Sequence, residues 1–199
     1  LAEAGAEVIV MSRTEAEIKQ VAAEIEAKGG TARAVVCDVT DQAALAKAFD
    51  GLERLDILVN NAGTNIPGGF LDATTESLDI MLNLNIRAAF LVAQAAARIM
   101  DRQGSGVIIN LSSTFGKVGR GGAAIYSGTK HFVEGLTKST AVELAPRNIR
   151  VVAVGPTAIE TPMLAERLKD PKVVADLRGN IPLGRLGQIG DVLGAVVFL

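Results

Sequence analysis

The chain has 199 residues, with 20 Lys and Arg against 22 Asp and Glu, a formal net charge of −2, 49% hydrophobic and 21% charged residues. This balance excludes a disordered chain, a polybasic nucleic-acid binder and an acidic tail protein. At this length roughly 70% of the unfolded surface can be buried, enough for one sizeable core in one domain or at most two small ones. A single cysteine, Cys37, and a single histidine, His131, exclude an intrachain disulfide, argue against a structural zinc site and fit a reducing, cytoplasmic compartment.

The chain opens on Leu-Ala-Glu-Ala-Gly without a basic stretch, so no signal peptide is expected, and Leu1 to Ala4 read as a last helical turn capped by Gly5. Glu7 to Met11 is an apolar, β-branched strand. Thr14 and Glu17 have the spacing of a capping box, ahead of a helix carrying Ile18, Val21, Ala22 and Ile25 and stopped by Gly29-Gly30. Ala34 to Cys37 is a second strand, Ala43 to Asp50 a short helix and Leu55 to Asn60 a third strand. A long helix over Ser77 to Arg102 leads to a fourth strand, Gly106 to Leu111. A helix over Ala124 to Ala145 leads to a fifth, Ile149 to Val154. Thr161 to Leu177 is expected as one helix, and Asp191 to Leu199 opens another. No uninterrupted apolar run reaches ~18 residues, so no membrane-spanning helix is expected. With no Trp, one Tyr and six Phe, the core is aliphatic and offers no stacking surface for nucleic acid.

The strand runs are apolar throughout, as in parallel sheets buried on both faces. Strand and helix in alternation predict an α/β fold with a doubly wound, Rossmann-type parallel sheet in a single domain. Ligands in such folds sit beyond the carboxyl ends of the strands. Those ends hold Ser12-Arg13, Asp38-Val39, Asn60 to Gly63, Ser112-Ser113 and Gly155 to Thr157.

Tyr126 and Lys130 are four residues apart, so they share one helix face with a rise of about 6 Å. An ammonium beside a phenol favours the phenolate and lowers its usual value near 10, which makes a usable general acid or base. Ser113 ends a strand thirteen residues earlier, where its hydroxyl can reach a substrate carbonyl. Asn85 lies inside a long helix although Asn is a weak helix former. The segments CDVT (Asp38-Val39), NNAG (Asn60 to Gly63), NLNIRAAF (Asn85), IINLSS (Ser113), YSGTK (Tyr126, Lys130), PTAIETPM (Pro156 to Met163) and GRLG (Gly184 to Gly187) follow in order.

Together these motifs resemble the classical branch of the short-chain dehydrogenase/reductase family over essentially the whole chain. The resemblance implies an NAD(P)-dependent oxidoreductase that moves hydride between nicotinamide and a carbonyl or secondary alcohol. It makes Tyr126 the acid/base and Ser113 the group that polarises the carbonyl. Lys130 becomes the ligand of the nicotinamide ribose and the group that lowers the tyrosine pKa, and Asn85 the holder of a relay water. For the cofactor it points to Asp38 and Val39 at the adenine, Asn61, Ala62 and Gly63 on the ribose side, and Pro156, Ile159 and Thr161 at the carboxamide.

The family's first strand with its Gly-rich turn, and its last strand, are expected to be lacking at the two ends. Thr157 stands where a Gly more commonly follows the proline. Ser12 replaces the acidic residue with which NAD-preferring members accept the ribose 2′-hydroxyl, and Arg13 can pair a 2′-phosphate, so NADP(H) is preferred with NAD(H) possible.

The expected substrate is a small carbonyl or alcohol, a sugar, sugar acid or polyol. The alternatives are a 3-oxoacyl-carrier-protein reductase or a non-catalytic Rossmann-like scaffold. Thr64 to Leu71, Thr114 to Arg120 and Ala158 to Asn180 are the expected lining. Lys117, Arg120, Arg167, Lys169 and Lys172 there read either as an anion-binding set or as a solvated face. His131 reads as a packing or interface residue. The two long Ala- and Leu-rich helices predict a homotetramer or homodimer, with no nucleic-acid or membrane partner and no metal.

Overall fold

The computed structural model describes residues 1–199 as two units, Leu1–Glu53 and Arg54–Leu199. In the first, a 3₁₀ turn at Ala2–Ala4 ends at Gly5 and leads into β1 (Glu7–Ser12), α1 (Glu15–Ala27), β2 (Thr31–Val36) and α2 (Gln42–Asp50). β1 and β2 pair in parallel from Glu7↔Thr31 to Ser12↔Val36. α1 buries Ile18 and Ala22 and α2 buries Leu45 and Phe49, both pairs at the four-residue spacing of one helix face. Asp41 caps α2, its carboxylate accepting from the amides of Ala43 and Ala44 at 2.8 and 3.1 Å.

Two expectations for this unit need correction. Thr14 is the N-cap of α1 but its side chain caps nothing, so the expected capping box is not formed. The Thr14 amide instead donates to Ser12 Oγ at 3.1 Å. β1 is half-exposed along most of its length rather than buried on both faces, since it pairs with β2 alone.

The second unit is built on β3 (Ile57–Asn60), β4 (Gly106–Leu111) and β5 (Ile149–Val154), parallel in the order β3-β4-β5. Between β3 and β4 run α3 (Thr75–Met81), a π-helical segment (Leu82–Ala88) and α4 (Ala89–Gln103). α5 (Ala124–Leu144) connects β4 to β5. α6 (Pro162–Ala165), α7 (Pro171–Gly179) and α8 (Ile189–Phe198) follow β5. The helix expected over Thr161 to Leu177 is thus broken. Pro171 disfavours helical backbone at Asp170, which turns extended and caps α7 through its carboxylate and the Lys172 amide (2.8 Å). The capping box missing at Thr14 is found at Gln188 and Asp191, ahead of α8.

In place of one continuous sheet there are two hydrogen-bonded sheets, β1-β2 and β3-β4-β5.

Met81, Ala88, Ala96, Met100, Ile108, Ile109 and Ile149 are all at most 2% exposed and form the core of the second unit. Burying each large aliphatic side chain contributes about 1.5–3 kcal/mol. The continuous helix Thr75–Gln103 has, by length and composition only, what a membrane crossing needs. Here its α4 part packs on β3 and β4, and it buries the polar Asn85. A chain of buried amides also holds this unit together. Asn60 donates to the Ala89 carbonyl (2.9 Å) and to Asn110 Oδ1 (3.0 Å), and Asn110 donates to Thr137 Oγ1 (2.9 Å).

Candidate active site

The end of β4, the middle of the π-helical segment and the first half of α5 meet in the second unit. Tyr126 and Lys130 lie on one face of α5, and Lys130 is buried although it is a lysine. Its ammonium donates to the Leu111 carbonyl at the end of β4 (2.7 Å) and lies 5.7 Å from the centre of the Tyr126 ring. Burial brings the Lys130 pKa down from 10.5 to about 8. Ser113, buried just beyond β4, caps the 3₁₀ turn Thr114–Gly116 by accepting from the Phe115 amide (3.2 Å). Phe115 meets Tyr126 edge to face, with ring centres 6.3 Å apart.

Burial pushes the Tyr126 phenol above its ordinary value, and the Ser113 hydroxyl opposes that shift. The expected lowering by Lys130 is not found: the low-dielectric pocket disfavours the phenolate, and the ammonium is turned toward the Leu111 carbonyl. The tyrosine is therefore held as the protonated acid.

Asn85, 1% exposed, is fully engaged. Its Oδ1 accepts from the Thr64 amide (2.8 Å), and its Nδ2 donates to the Thr64 carbonyl (2.8 Å) and to Thr129 Oγ1 (3.1 Å). Thr129 in turn donates to the Tyr126 carbonyl (2.8 Å). The amide thus ties the loop after β3 to the helix turn that carries the Tyr-Lys pair. The π-helical segment around it is the widened geometry often found at functional sites.

Of the remaining predicted residues, Asn61 and Ala62 are exposed and Gly63 is half-buried. A Cβ on Gly63 would come within 3.3 Å of Asn85 Oδ1 and 3.7 Å of Lys130 Nζ, so the backbone passes close beside the lysine. Pro156 accepts from the Thr114 amide (3.0 Å), tying the loops after β5 and β4 together. Ile159 bridges in parallel to Gly187, and Thr161 Oγ1 donates to the Ile159 carbonyl (3.4 Å).

In the first unit, Ser12 and Arg13 end β1. Asp38 and Val39 follow β2, where Asp38 Oδ1 accepts from the Thr40 amide (2.9 Å) and hydroxyl (2.7 Å). These bonds hold the Asp38 carboxyl below its ordinary value, with a smaller contribution from the Arg13 charge. The expected basic set is largely committed to internal carboxylates, through the ion pairs Lys117–Glu134, Arg120–Asp176 and Lys169–Glu166. No group of three or more His, Cys, Asp or Glu is placed to hold a metal.

Sequence reasoning passed over Thr129 and Glu134. Both were readable as neighbours of the Tyr-Lys pair, Glu134 by its place one turn beyond Lys130 on the same face.

A nicotinamide cofactor fits these residues. Lys130 has three donors and spends one on Leu111, and bare glycine backbone passes beside it at Gly63. Parallel strands ending in this cluster define an α/β protein with a candidate acid/base site at its strand ends. The profile of the family described as enoyl-(acyl carrier protein) reductase matches residues 1–199.

The chain is 36% identical over 197 residues to L-xylulose reductase of Bos taurus, covering 98% of this chain and 79% of that protein. It is 39% identical over 203 residues to cyclopentanol dehydrogenase of Comamonas sp. (strain NCIMB 9872), covering 100% and 81%. Among solved structures it is similar to a gluconate 5-dehydrogenase from Burkholderia cenocepacia J2315 in complex with NADP and tartrate. There the TM-score is 0.95 at 32% identity, covering 100% of this chain and 80% of that one. The chain belongs to the short-chain dehydrogenase/reductase family and is an NAD(P)-dependent oxidoreductase of carbonyls and secondary alcohols.

Proposed function

We propose that the protein reduces the carbonyl of a small sugar, sugar acid or polyol-derived ketone, and oxidises the corresponding alcohol, with Tyr126 as the acid/base. The observation that carries the reading is the convergence of Ser113, Tyr126 and Lys130, braced by Asn85 through Thr129. The cofactor supplies or accepts the hydride. Tyr126 Oη gives its proton to the carbonyl oxygen, and Ser113 Oγ donates a hydrogen bond to the same oxygen. Carbonyl reduction is the direction for which the free enzyme's tyrosine already stands in its working protonation state.

Lys130 binds the ribose hydroxyls, and Asn85, committed to Thr64 and Thr129, braces the turn that carries the Tyr-Lys pair. Ser12, Arg13, Asp38 and Val39 receive the adenosine end of the cofactor. Asn61, Ala62, Gly63, Pro156, Ile159 and Thr161 receive the rest. NADP(H) is preferred on the strength of Arg13 beside Ser12 where an acidic residue would select NAD(H). The L-xylulose reductase and gluconate 5-dehydrogenase relatives support the sugar reading. A carrier-bound acyl substrate is the second reading, favoured by the description of the matching family profile.

We place both units in one dinucleotide-binding domain of a cytoplasmic homotetramer or homodimer. The intact protein, assayed with polyols, aldonates and 3-oxoacyl thioesters and both cofactors, tests the reading. Turnover of a sugar or polyol with NADP(H) is expected. Turnover of 3-oxoacyl thioesters alone would select the second reading.

A further inference from the structure

The face of α5 that carries Tyr126 and Lys130 continues one turn further to Glu134, a carboxylate 7% exposed. All three side chains are directed at the short stretch after β4. Lys130 holds the Leu111 carbonyl, Tyr126 faces Ser113, and Glu134 accepts a hydrogen bond from Lys117 Nζ. Ser112 Oγ faces the Glu134 carboxylate as well, without a well-formed hydrogen bond of its own. Glu134 therefore holds the chain after Ser113 through Lys117, with Ser112 Oγ lying beside its carboxylate.

The fit is tight. A Cβ on Gly116 would stand 2.6 Å from Ser112 Oγ, 2.9 Å from the Lys130 carbonyl and 3.1 Å from Glu134 Cγ, so the turn is pressed onto the helix at this point. Burial works against charge on Glu134, but the Lys117 and Ser112 contacts outweigh it and keep the carboxyl below its ordinary value. Only the Glu134 side of the pair is buried and Lys117 is largely exposed, so the ion pair contributes little net stability. What such a pair supplies is one fixed geometry.

We infer that Glu134, clamped to Lys117, is a positioning residue that sets Ser113 Oγ against Tyr126 Oη. It acts through Ser113 and does not touch the substrate. The inference rests on the reading of Ser113 and Tyr126 as the catalytic pair. The test is a double-mutant cycle in the intact protein, on the substrate that the panel identifies. Glu134→Gln lowers kcat about tenfold while KM and the Kd for NADPH, read by fluorescence, stay within about twofold. In a Ser113→Ala background the same substitution adds less than about a twofold loss, because the group it positions is gone. Lys117→Arg keeps at least half of kcat. Should Glu134→Gln fail to fold, Lys117→Met on a largely exposed side chain carries the same cycle.

Losses that multiply in the Ser113→Ala background overturn the inference, as does an unchanged kcat or a change confined to KM. If Ser113→Ala by itself keeps wild-type kcat, the catalytic reading falls and the inference with it. If Ser113→Ala is crippled and Glu134→Gln is not, the inference alone falls.

Discussion

The two units treat polar side chains in opposite ways. In Leu1–Glu53 every buried residue is apolar: Ile18, Ala22, Ala32, Cys37, Leu45, Phe49 and Leu52. All ten buried polar or charged residues lie in Arg54–Leu199, among them Asn60, Asn85, Ser113, Lys130 and Glu134. The candidate cofactor residues of the first unit are half-buried, Ser12, Asp38 and Val39, or exposed, Arg13, so water still screens their charge. The candidate catalytic residues Asn85, Ser113 and Lys130 of the second are buried, where an unmatched proton or hydrogen bond is costly and each group depends on its neighbours.

The sharpest way to break this comparison is Tyr126→Phe. The ring and its contact with Phe115 remain, and only the transferable proton is lost. kcat of the intact protein is expected to fall about 10²–10⁴-fold, with cofactor Kd and Tm unchanged. Wild-type kcat in this variant overturns the assignment.

Next is Asn110→Ala, which removes the middle of the Asn60–Asn110–Thr137 chain. Unfolding in urea should show a loss of about 2–3 kcal/mol, since part of the Asn60 amide is left buried without a partner. A loss below about 0.5 kcal/mol means that the buried amides are not coupled.

For the first unit, Arg13→Ala should weaken NADPH about ten- to a hundredfold in KM and leave NADH nearly untouched, because a charge-assisted phosphate contact contributes roughly 1.5–3 kcal/mol. Equal changes for both cofactors refute the role of Arg13.

The smallest effect is also the most counterintuitive. In the folded chain Lys130 titrates at about 8, against 10.5 when unfolded. Below pH 8 it is charged in both states, and the folded state carries the whole burial penalty. Between pH 8 and 10.5 the folded state releases its proton first, so stability rises with pH across that window. The shift corresponds to about 3 kcal/mol, and losing the bond to the Leu111 carbonyl offsets about 1 kcal/mol of it. Lys130→Met should therefore stabilise the cofactor-free protein by about 1–2 kcal/mol at pH 7, with the gain gone above pH 10.5. Thermal melts across this range check it, and a destabilised variant at pH 7 contradicts it.

Much of this was legible in the residues. Apolar β-branched runs ended by polar residues located all five strands, two of them, Gly106–Leu111 and Ile149–Val154, to the residue. The spacing of Tyr126 and Lys130 placed them on one face, because helical periodicity is local. Ser12-Arg13 at the end of β1 and Asp38-Val39 beyond β2 are likewise read from chain order, since a parallel sheet gathers strand ends on one side. Pro171 marks the break in the 161–177 segment, because it disfavours helical backbone at Asp170.

What the tertiary structure alone decided is electrostatic and long-range. That Tyr126 is pushed up rather than down follows from its burial and from the direction of the Lys130 ammonium, and neither is a property of the sequence spacing. That Asn85 ends on Thr64 and Thr129, and Glu134 on Lys117, depends on which helix face meets which loop across 17 to 44 residues of chain. Periodicity fixes which side chains share a face. Only packing fixes what that face meets, and in a medium of low dielectric the partner sets the charge.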